Sequence, residues 1–199
     1  MIELDTLFWV LVSFFALIGM MRGWTKEVIA TSSLILSLFA LTQIVKFPFV
    51  ASFLSTSVDP SVLDFAIRRK QFYVLSIIHI AIAFFGYQGP AFAGSRINEK
   101  LRIRDSFQDK VLGLVIGAIN GYLIVGALWA FLEYPAGPSG FAQLLAGVPY
   151  PFDSFSFIRP GIAPAPISTM IDNLPLPFLA PYLPILVVLV FLFVIVVMI

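Results

Sequence analysis

The sequence predicts an all-α integral membrane protein, with a four-helix transmembrane core and a fifth transmembrane helix at the C-terminus. Of the 199 residues, 60% are apolar and 12% are charged, whereas soluble domains are about 45–50% apolar and about 25% charged. The mean hydropathy is +1.00, so a single small aqueous core cannot bury the excess of apolar side chains. Long apolar stretches recur along the chain, and helices satisfy their own backbone groups in lipid.

Five apolar stretches approach the length of about 20 residues that a membrane-spanning helix needs. The first and the last are the shortest, because about 15 residues at 1.5 Å per residue cover only about 22 Å. Pro184 suits the first turn of the last helix, where its missing N–H is not needed. The predicted spans are residues 7–21, 28–47, 72–93, 111–132 and 185–199.

These spans divide the chain into three predicted parts. Residues 1–133 form a four-helix membrane domain, residues 134–183 a Pro- and Phe-rich extramembrane or interfacial loop, and residues 184–199 the C-terminal transmembrane helix. The loop and its two flanking residues hold 11 of the 14 prolines. Its backbone is too polar to cross lipid, and its phenylalanines make it too apolar to extend freely into water. We therefore expect it to lie on the membrane surface or against a partner.

The first connection, "RGWTKE" at residues 22–27, predicts a helical hairpin with almost no loop. Gly23 permits a tight turn, and Thr25 is placed to cap the next helix. Glu27 falls in the first turn of that helix, where the helix dipole favours a negative charge.

The two longer connections and the distribution of positive charge predict the orientation of the chain. Residues 48–71 read as a short surface helix, and residues 94–110 as either an amphipathic interfacial helix or a solvated charged loop. Counted over the connections, seven Lys and Arg fall on one side and five on the other. The excess favours an N-terminus outside the cell. The "RRK" cluster at residues 68–70 is the main evidence against this orientation.

Three glycines at four-residue spacing, Gly113, Gly117 and Gly121, share one face of the fourth predicted helix. Each step of four residues turns the helix by about 40°, and Asn120 projects between them on the same face. Small residues at this spacing let two helix backbones approach closely in lipid, and an asparagine can hydrogen-bond across the contact. We expect a helix-packing surface; the alternative is an ion or substrate path with Asn120 as a polar step.

His79 is the only histidine, and it falls within the third predicted helix. Small residues share its face, so we expect the imidazole to point towards a neighbouring helix and to be hydrogen-bonded in the neutral form. One alternative is an axial ligand for a haem or a chlorophyll-type pigment, and another is a proton relay, because ionisable residues at membrane depth are candidates for function. No cofactor other than this pigment or haem alternative is expected.

Charges at the helix ends suggest a further contact. In a four-span bundle the first and third connections lie on the same side, which brings Arg22 near Asp109. We expect these two residues either to form an ion pair or to anchor their helices separately in the interface.

Several classes of function are excluded by the residues that the chain lacks. It has no cysteine, so disulfides, thiolate metal sites and cysteine nucleophiles are excluded. A net charge of +1 offers no basic surface for nucleic acid. No phosphate-binding loop, zinc-binding histidine motif or nucleophile elbow is present, so we expect no catalytic residues and no metal site.

The hairpin "RGWTKE" and the helix "DKVLGLVIGAINGYLIVG", together with "IELD" at the N-terminus, resemble the colicin V production protein (CvpA) family of small bacterial inner-membrane proteins. The resemblance covers about residues 1–133. This chain has Asn120 where family members often carry an arginine, and its segments after residue 133 extend beyond the usual four-helix core. The matching positions are Asp5, Arg22, Gly23, Lys26, Glu27, Asp109, Gly113, Gly117 and Gly121.

The resemblance implies a multi-pass protein of the bacterial inner membrane with a role in colicin V production or, more broadly, in the cell envelope. We expect a non-enzymatic factor that associates through its helices with itself or with other membrane proteins, in contact with the bilayer and not with nucleic acid. One alternative is an accessory subunit of a larger photosynthetic or respiratory complex. Another is a small channel or transporter, although the spans contain few of the repeated polar residues that line a water-filled path.

Overall fold

Four long helices form the body of the protein in the computed structural model, which describes residues 3–57, 64–92, 107–152, 158–163 and 166–198. They are α1 (Leu4–Arg22), α2 (Trp24–Ile44), α4 (Phe65–Phe92) and α5 (Phe107–Glu133), with the short α3 (Pro48–Leu54) between the second and third of these. All four are long and apolar enough to cross a membrane. The predicted four-helix core of a multi-pass membrane protein is confirmed in this respect.

The observed helices begin earlier than the predicted spans. The positive φ of 83° at Gly23 reverses the chain within one residue, so α2 begins at Trp24. The short surface helix predicted within residues 48–71 is present as α3, but it ends at Leu54, and the "RRK" cluster belongs to the first turns of α4. The predicted interfacial helix or loop at residues 94–110 lies mostly outside the described residues.

The last helix, α7 (Leu183–Met198), packs against α2. Its 16 residues cover about 24 Å at 1.5 Å per residue, whereas the hydrocarbon core of a bilayer is about 30 Å thick. The predicted fifth transmembrane span is therefore not supported, and α7 is a short apolar helix beside the four-helix core.

Helix α5 lies at the centre of the bundle and packs against α1, α2 and α4. Its inward residues include Leu123, Ala127 and Ala130, which join buried leucines of α2 in the core. Large apolar side chains instead cover the outside of the bundle, as with Met21, which is 84% exposed, and Ile77, which is 65% exposed. Small residues inside and large apolar residues outside are typical of a bundle solvated by lipid.

The chain after α5 folds back over the end of the bundle. A two-stranded antiparallel hairpin, β1 (Ala136–Gly137) and β2 (Gly140–Phe141), is followed by a 3₁₀ turn (Ile171–Asn173) and α6 (Pro175–Leu179). The ring of Phe152 packs edge-on against Phe72 of α4, with ring centroids 5.2 Å apart. The described part of the Pro-rich segment therefore covers the bundle end from which α5 emerges.

Candidate functional site

The hairpin between α1 and α2 is built around the carboxylate of Asp109. The backbone N–H of Trp24 donates to Asp109 Oδ1 at 3.1 Å, which places a negative charge at the N-terminus of α2. A Cβ atom at Gly23 would lie 2.5 Å from Asp109 Oδ2, so a residue with a side chain would displace this carboxylate. The predicted cap by Thr25 is wrong: Thr25 lies inside α2, and its buried hydroxyl has no hydrogen-bond partner among the described residues.

Immediately beside this hairpin, Glu27 is fully buried and accepts three side-chain hydrogen bonds. Arg22 Nε donates to Oε1 at 2.7 Å, while Asn120 Nδ2 donates to Oε2 at 2.8 Å. The Tyr87 hydroxyl also donates to Oε2, at 3.2 Å. We call Arg22, Glu27, Tyr87 and Asn120 the turn cluster. It joins α1, α2, α4 and α5, and it supplies the partners that a carboxylate needs away from water.

The other polar groups of the turn cluster also form hydrogen bonds. Asn120 Nδ2 donates a second bond to the Glu27 carbonyl at 3.0 Å, and Asn120 Oδ1 accepts from the Thr31 hydroxyl at 2.7 Å. Arg22 lies 4.5 Å from the centre of the Tyr87 ring and donates to the Tyr87 carbonyl at 3.0 Å. The ion pair that the structure shows for Arg22 is thus with Glu27, while Asp109 accepts from the N–H of Trp24.

The glycines of α5 lie against the backbone of α1. A Cβ atom at Gly117 would lie 2.6 Å from the Phe15 carbonyl oxygen, and one at Gly121 would lie 2.8 Å from the Phe15 Cβ. A Cβ atom at Gly113 would overlap the carbonyl oxygen of Gly19. The glycine face is therefore occupied within this chain, and Asn120 turns from its edge towards α2.

Three further predicted positions lie outside the turn cluster. Asp5 accepts a hydrogen bond of 2.7 Å from Ser168, which ties α1 to the segment after α5. Lys26 is exposed beside the hairpin. His79 is fully buried, its Nδ1 lies 2.9 Å from the Ser37 hydroxyl, and its ring packs edge-on against Phe131 at 5.8 Å. Its Nε2 has no hydrogen-bond partner in the described part of the chain.

A second buried carboxylate, Glu133, is the last residue of α5 and lies at the end of the bundle opposite to the turn cluster. Arg159 binds it with two nitrogens, Nε to Oε2 at 2.8 Å and Nη2 to Oε1 at 2.5 Å. Tyr150 donates to Oε2 at 2.9 Å and Gln143 to Oε1 at 3.2 Å. We call Glu133, Gln143, Tyr150 and Arg159 the cap cluster. The three partners of Glu133 all come from the Pro-rich segment, so this carboxylate is one of the groups that hold that segment on the bundle.

The ionisation states in the cap cluster follow from burial and charge. Burial and the Glu133 carboxylate both raise the pKa of Tyr150, so its hydroxyl remains a neutral donor. Burial lowers the pKa of Arg159, but its hydrogen bonds and attraction to Glu133 outweigh this, and the pKa is raised. Arg159 also donates to the backbone carbonyls of Leu144, Leu145 and Val148 at 2.7–3.0 Å.

Sequence reasoning did not identify Glu133, Arg159 or Tyr87 as site residues. Arg159 is the only Lys or Arg after residue 133, and Glu133 ends a long apolar helix. Two isolated opposite charges in apolar surroundings are a signal that they pair, because an unpaired buried charge is costly. No comparable pattern marks Tyr87, since its role depends on how α4 packs against α1 and α2.

Each of the two clusters contains a buried carboxylate paired with an arginine. Among the residues that the structure describes, no group of three or more His, Asp or Glu side chains is placed to hold a metal ion. The turn cluster and the cap cluster instead fasten the two ends of the bundle.

Comparison with known proteins identifies similar chains. The family model described as colicin V production protein matches residues 4–146, a range that contains the turn cluster and Glu133. The colicin V production protein homolog of Haemophilus influenzae (strain ATCC 51907 / DSM 11121 / KW20 / Rd) is 27% identical over 123 residues, which cover 62% of this chain and 68% of that protein. No solved structure matches the chain significantly.

Proposed function

Since the chain belongs to the colicin V production protein family, we propose that it is a non-enzymatic protein of the bacterial inner membrane that acts by binding other membrane proteins through its helices. Its role would lie in the cell envelope, in processes such as colicin V production. The exposed outer face of α1 is the observation that carries the proposal.

This face is formed by large apolar side chains that are all at least half exposed: Trp9, Val10, Phe14, Leu17 and Met21. Val10, Phe14, Leu17 and Met21 follow one another at spacings of three or four residues and lie along one side of α1, with Trp9 beside Val10. The glycines that otherwise favour helix association are already packed inside the chain, so a partner helix has to bind an outer face. Aromatic residues and methionine are the types enriched at the centres of protein interfaces.

Photo-crosslinking in the membrane tests the α1 face directly. A photoreactive residue at Phe14 or Leu17 is expected to give a discrete protein adduct, whereas the same residue at the buried Val12 serves as the matched control.

Purification in mild detergent should yield a colourless assembly heavier than one chain. Only lipid adducts at both outer positions, together with a monomeric native mass, would contradict the proposal. A stoichiometric pigmented complex would instead favour an accessory subunit of an energy-converting complex.

We also propose that the N-terminus and the Pro-rich segment lie outside the cell. The count of positive charges supports this orientation, and Arg68 of the opposing "RRK" cluster is buried and donates to the Pro149 carbonyl at 2.8 Å. Because the chain has no cysteine, single cysteines at Ser139 and Lys26 report on the two sides. An impermeant thiol reagent on intact cells should label Ser139→Cys and not Lys26→Cys; the reverse pattern contradicts the orientation.

A small channel or transporter is a second candidate, favoured by the buried Glu27 carboxylate. Ionisable residues at membrane depth often mark ion pathways, and the buried His79 and Ser37 lie further along the same bundle interior. Ion flux through the purified protein in liposomes, reduced by Glu27→Gln without loss of fold, would support this candidate. Absence of flux above that of empty liposomes would argue against it.

A further inference from the structure

Two cavities lie along α2, and α7 contributes to the walls of each. The first, of about 390 Å³, lies where α2 ends and α7 begins, and its lining includes Phe39, Lys46 and Pro184. The second, of about 310 Å³, lies further along both helices, and its lining includes Ile35 and Leu186, with α5 as a third wall. We call these the upper and the lower cavity.

The two cavities follow one another along one face of α2, and we call this face with its two cavities the groove. On α2, Phe39 of the upper cavity and Ile35 of the lower cavity are one helical turn apart. On α7, Pro184 lines the upper cavity, and Leu186, two residues further along, lines the lower cavity. From Lys46 to Val28 the groove spans about 27 Å of helix, at 1.5 Å for each residue. This length exceeds the half-thickness of a bilayer core, which is about 15 Å.

The chemistry of the groove changes along its length. The upper cavity combines apolar walls with the side chains of Thr42, Gln43, Lys46 and Ser139, whereas the lower cavity is lined mostly by aliphatic residues. Lys46 is exposed, and the ion pairs within the described ranges do not include it. Lys46 also borders a cavity of about 440 Å³ beside the turn between β1 and β2, which leaves space around its ammonium group.

We propose that this groove is a binding site for one phospholipid, with the phosphate at Lys46 and an acyl chain in the lower cavity. Lys46 follows the end of α2, at the level where a span meets the interface, and its ammonium group can form a charge-assisted hydrogen bond with a phosphate there. An apolar cavity that opens between membrane helices suits an acyl chain. The ammonium group and the aliphatic groove together select an amphipathic phosphate, whereas a free phosphate would use Lys46 alone.

Native mass spectrometry of the full chain, purified in mild detergent and titrated with phosphatidylglycerol, tests the site. One phospholipid per chain should be retained. Lys46→Ala should reduce its occupancy several-fold, while Lys46→Arg, which keeps the charge, should preserve it. Leu189→Trp, which fills the lower cavity from an exposed position on α7, should reduce occupancy with Lys46 intact. Arg69→Ala is the matched control, because it removes an exposed cation at the same end of the bundle.

Two outcomes would overturn the proposal. Equal occupancy in Lys46→Ala and Arg69→Ala would show that lipid is retained without the cation. Displacement of the lipid by inorganic phosphate, with no effect of Leu189→Trp, would show a free-anion site in which the groove has no part. Monodisperse protein with an unchanged melting temperature establishes that each variant is folded, and Leu189→Trp keeps the test decisive if Lys46→Ala is unstable.

Discussion

The Nε atom of Arg22 lies 2.7 Å from Oε1 of Glu27, so the last residue of α1 is paired with the fourth residue of α2 across a one-residue turn. Glu27 is fully buried, whereas the Arg22 side chain is 26% exposed. The pair therefore places a complete negative charge inside the bundle and leaves its counter-ion partly in contact with the solvent. Such an arrangement is stable only while every acceptor of the carboxylate stays satisfied.

Replacing Glu27 with Gln should destabilise the protein by about 2–4 kcal/mol. The substitution keeps the size of the side chain but removes the charge that Arg22 faces, and it presents an amide N–H₂ to donors. Lys26→Gln is the matched control, because it removes an exposed charge one residue away and should have little effect. Thermal unfolding in detergent measures both. Equal melting temperatures for the two variants would show that the Glu27 carboxylate does not stabilise the bundle.

Gly117→Ala should destabilise the protein even though alanine is the better helix former. Its Cβ would lie 2.6 Å from the Phe15 carbonyl oxygen and 2.8 Å from the Gly19 Cα, and backbone atoms cannot move aside cheaply. Overpacking of this kind costs about 1–3 kcal/mol.

Gly89→Ala in α4 is the control for helix propensity, because no described atom beyond its own helical turn lies within 4 Å of its Cβ position. It should be close to neutral, because the better helix propensity of alanine, worth about 1 kcal/mol, is opposed by the crowding of a Cβ atom against the ring of the following Pro90. Gly117→Ala should therefore lower the melting temperature clearly more than Gly89→Ala. A stabilising Gly117→Ala would contradict the close approach of α1 and α5.

Arg159→Met should release the Pro-rich segment while the four-helix core stays folded. Arg159 supplies two hydrogen bonds to Glu133 and three to backbone carbonyls, so its loss leaves a buried carboxylate with fewer donors. Limited proteolysis should then cleave within residues 134–183 faster than in the parent protein. Arg159→Lys should rescue only in part, because an ammonium group cannot reproduce the bidentate geometry.

A double variant measures the interaction energy between Glu133 and Arg159. Glu133→Gln together with Arg159→Met should be less damaging than the sum of the single changes, because neither charge is left without its partner. Strict additivity of the two effects on unfolding would show that Glu133 and Arg159 do not interact energetically.

The four core spans were predictable because each is a long apolar stretch, and Gly23 indicated where the first hairpin turns. The pairing of Arg22 with Glu27 was harder to predict from the sequence. Chain topology placed Arg22 and Asp109 on the same side of the membrane. It did not show that Asp109 lies at the N-terminus of α2 and accepts a hydrogen bond from the N–H of Trp24. The Pro-rich segment is held by contacts with residues far away in the sequence, among them Glu133–Arg159 and Asp5–Ser168, and local propensities carry no information about such contacts.

The amide of Asn120 gives the sharpest test of the turn cluster, because its two ends have different partners. Its nitrogen donates to the Glu27 side chain and carbonyl, and its oxygen accepts from Thr31. Asn120→Leu removes both donors, and we expect a loss of about 1–3 kcal/mol from the unsatisfied carboxylate. Asn120→Asp should be more damaging, because it replaces a donor 2.8 Å from Glu27 Oε2 with a second carboxylate. Thr31→Val loses a hydroxyl that contacts the Asn120 amide oxygen and the Glu27 carbonyl but leaves the Glu27 carboxylate with its donors, and it should cost least. Unfolding measurements that rank Asn120→Asp above Asn120→Leu in stability would mean that Glu27 does not carry a negative charge in the folded protein.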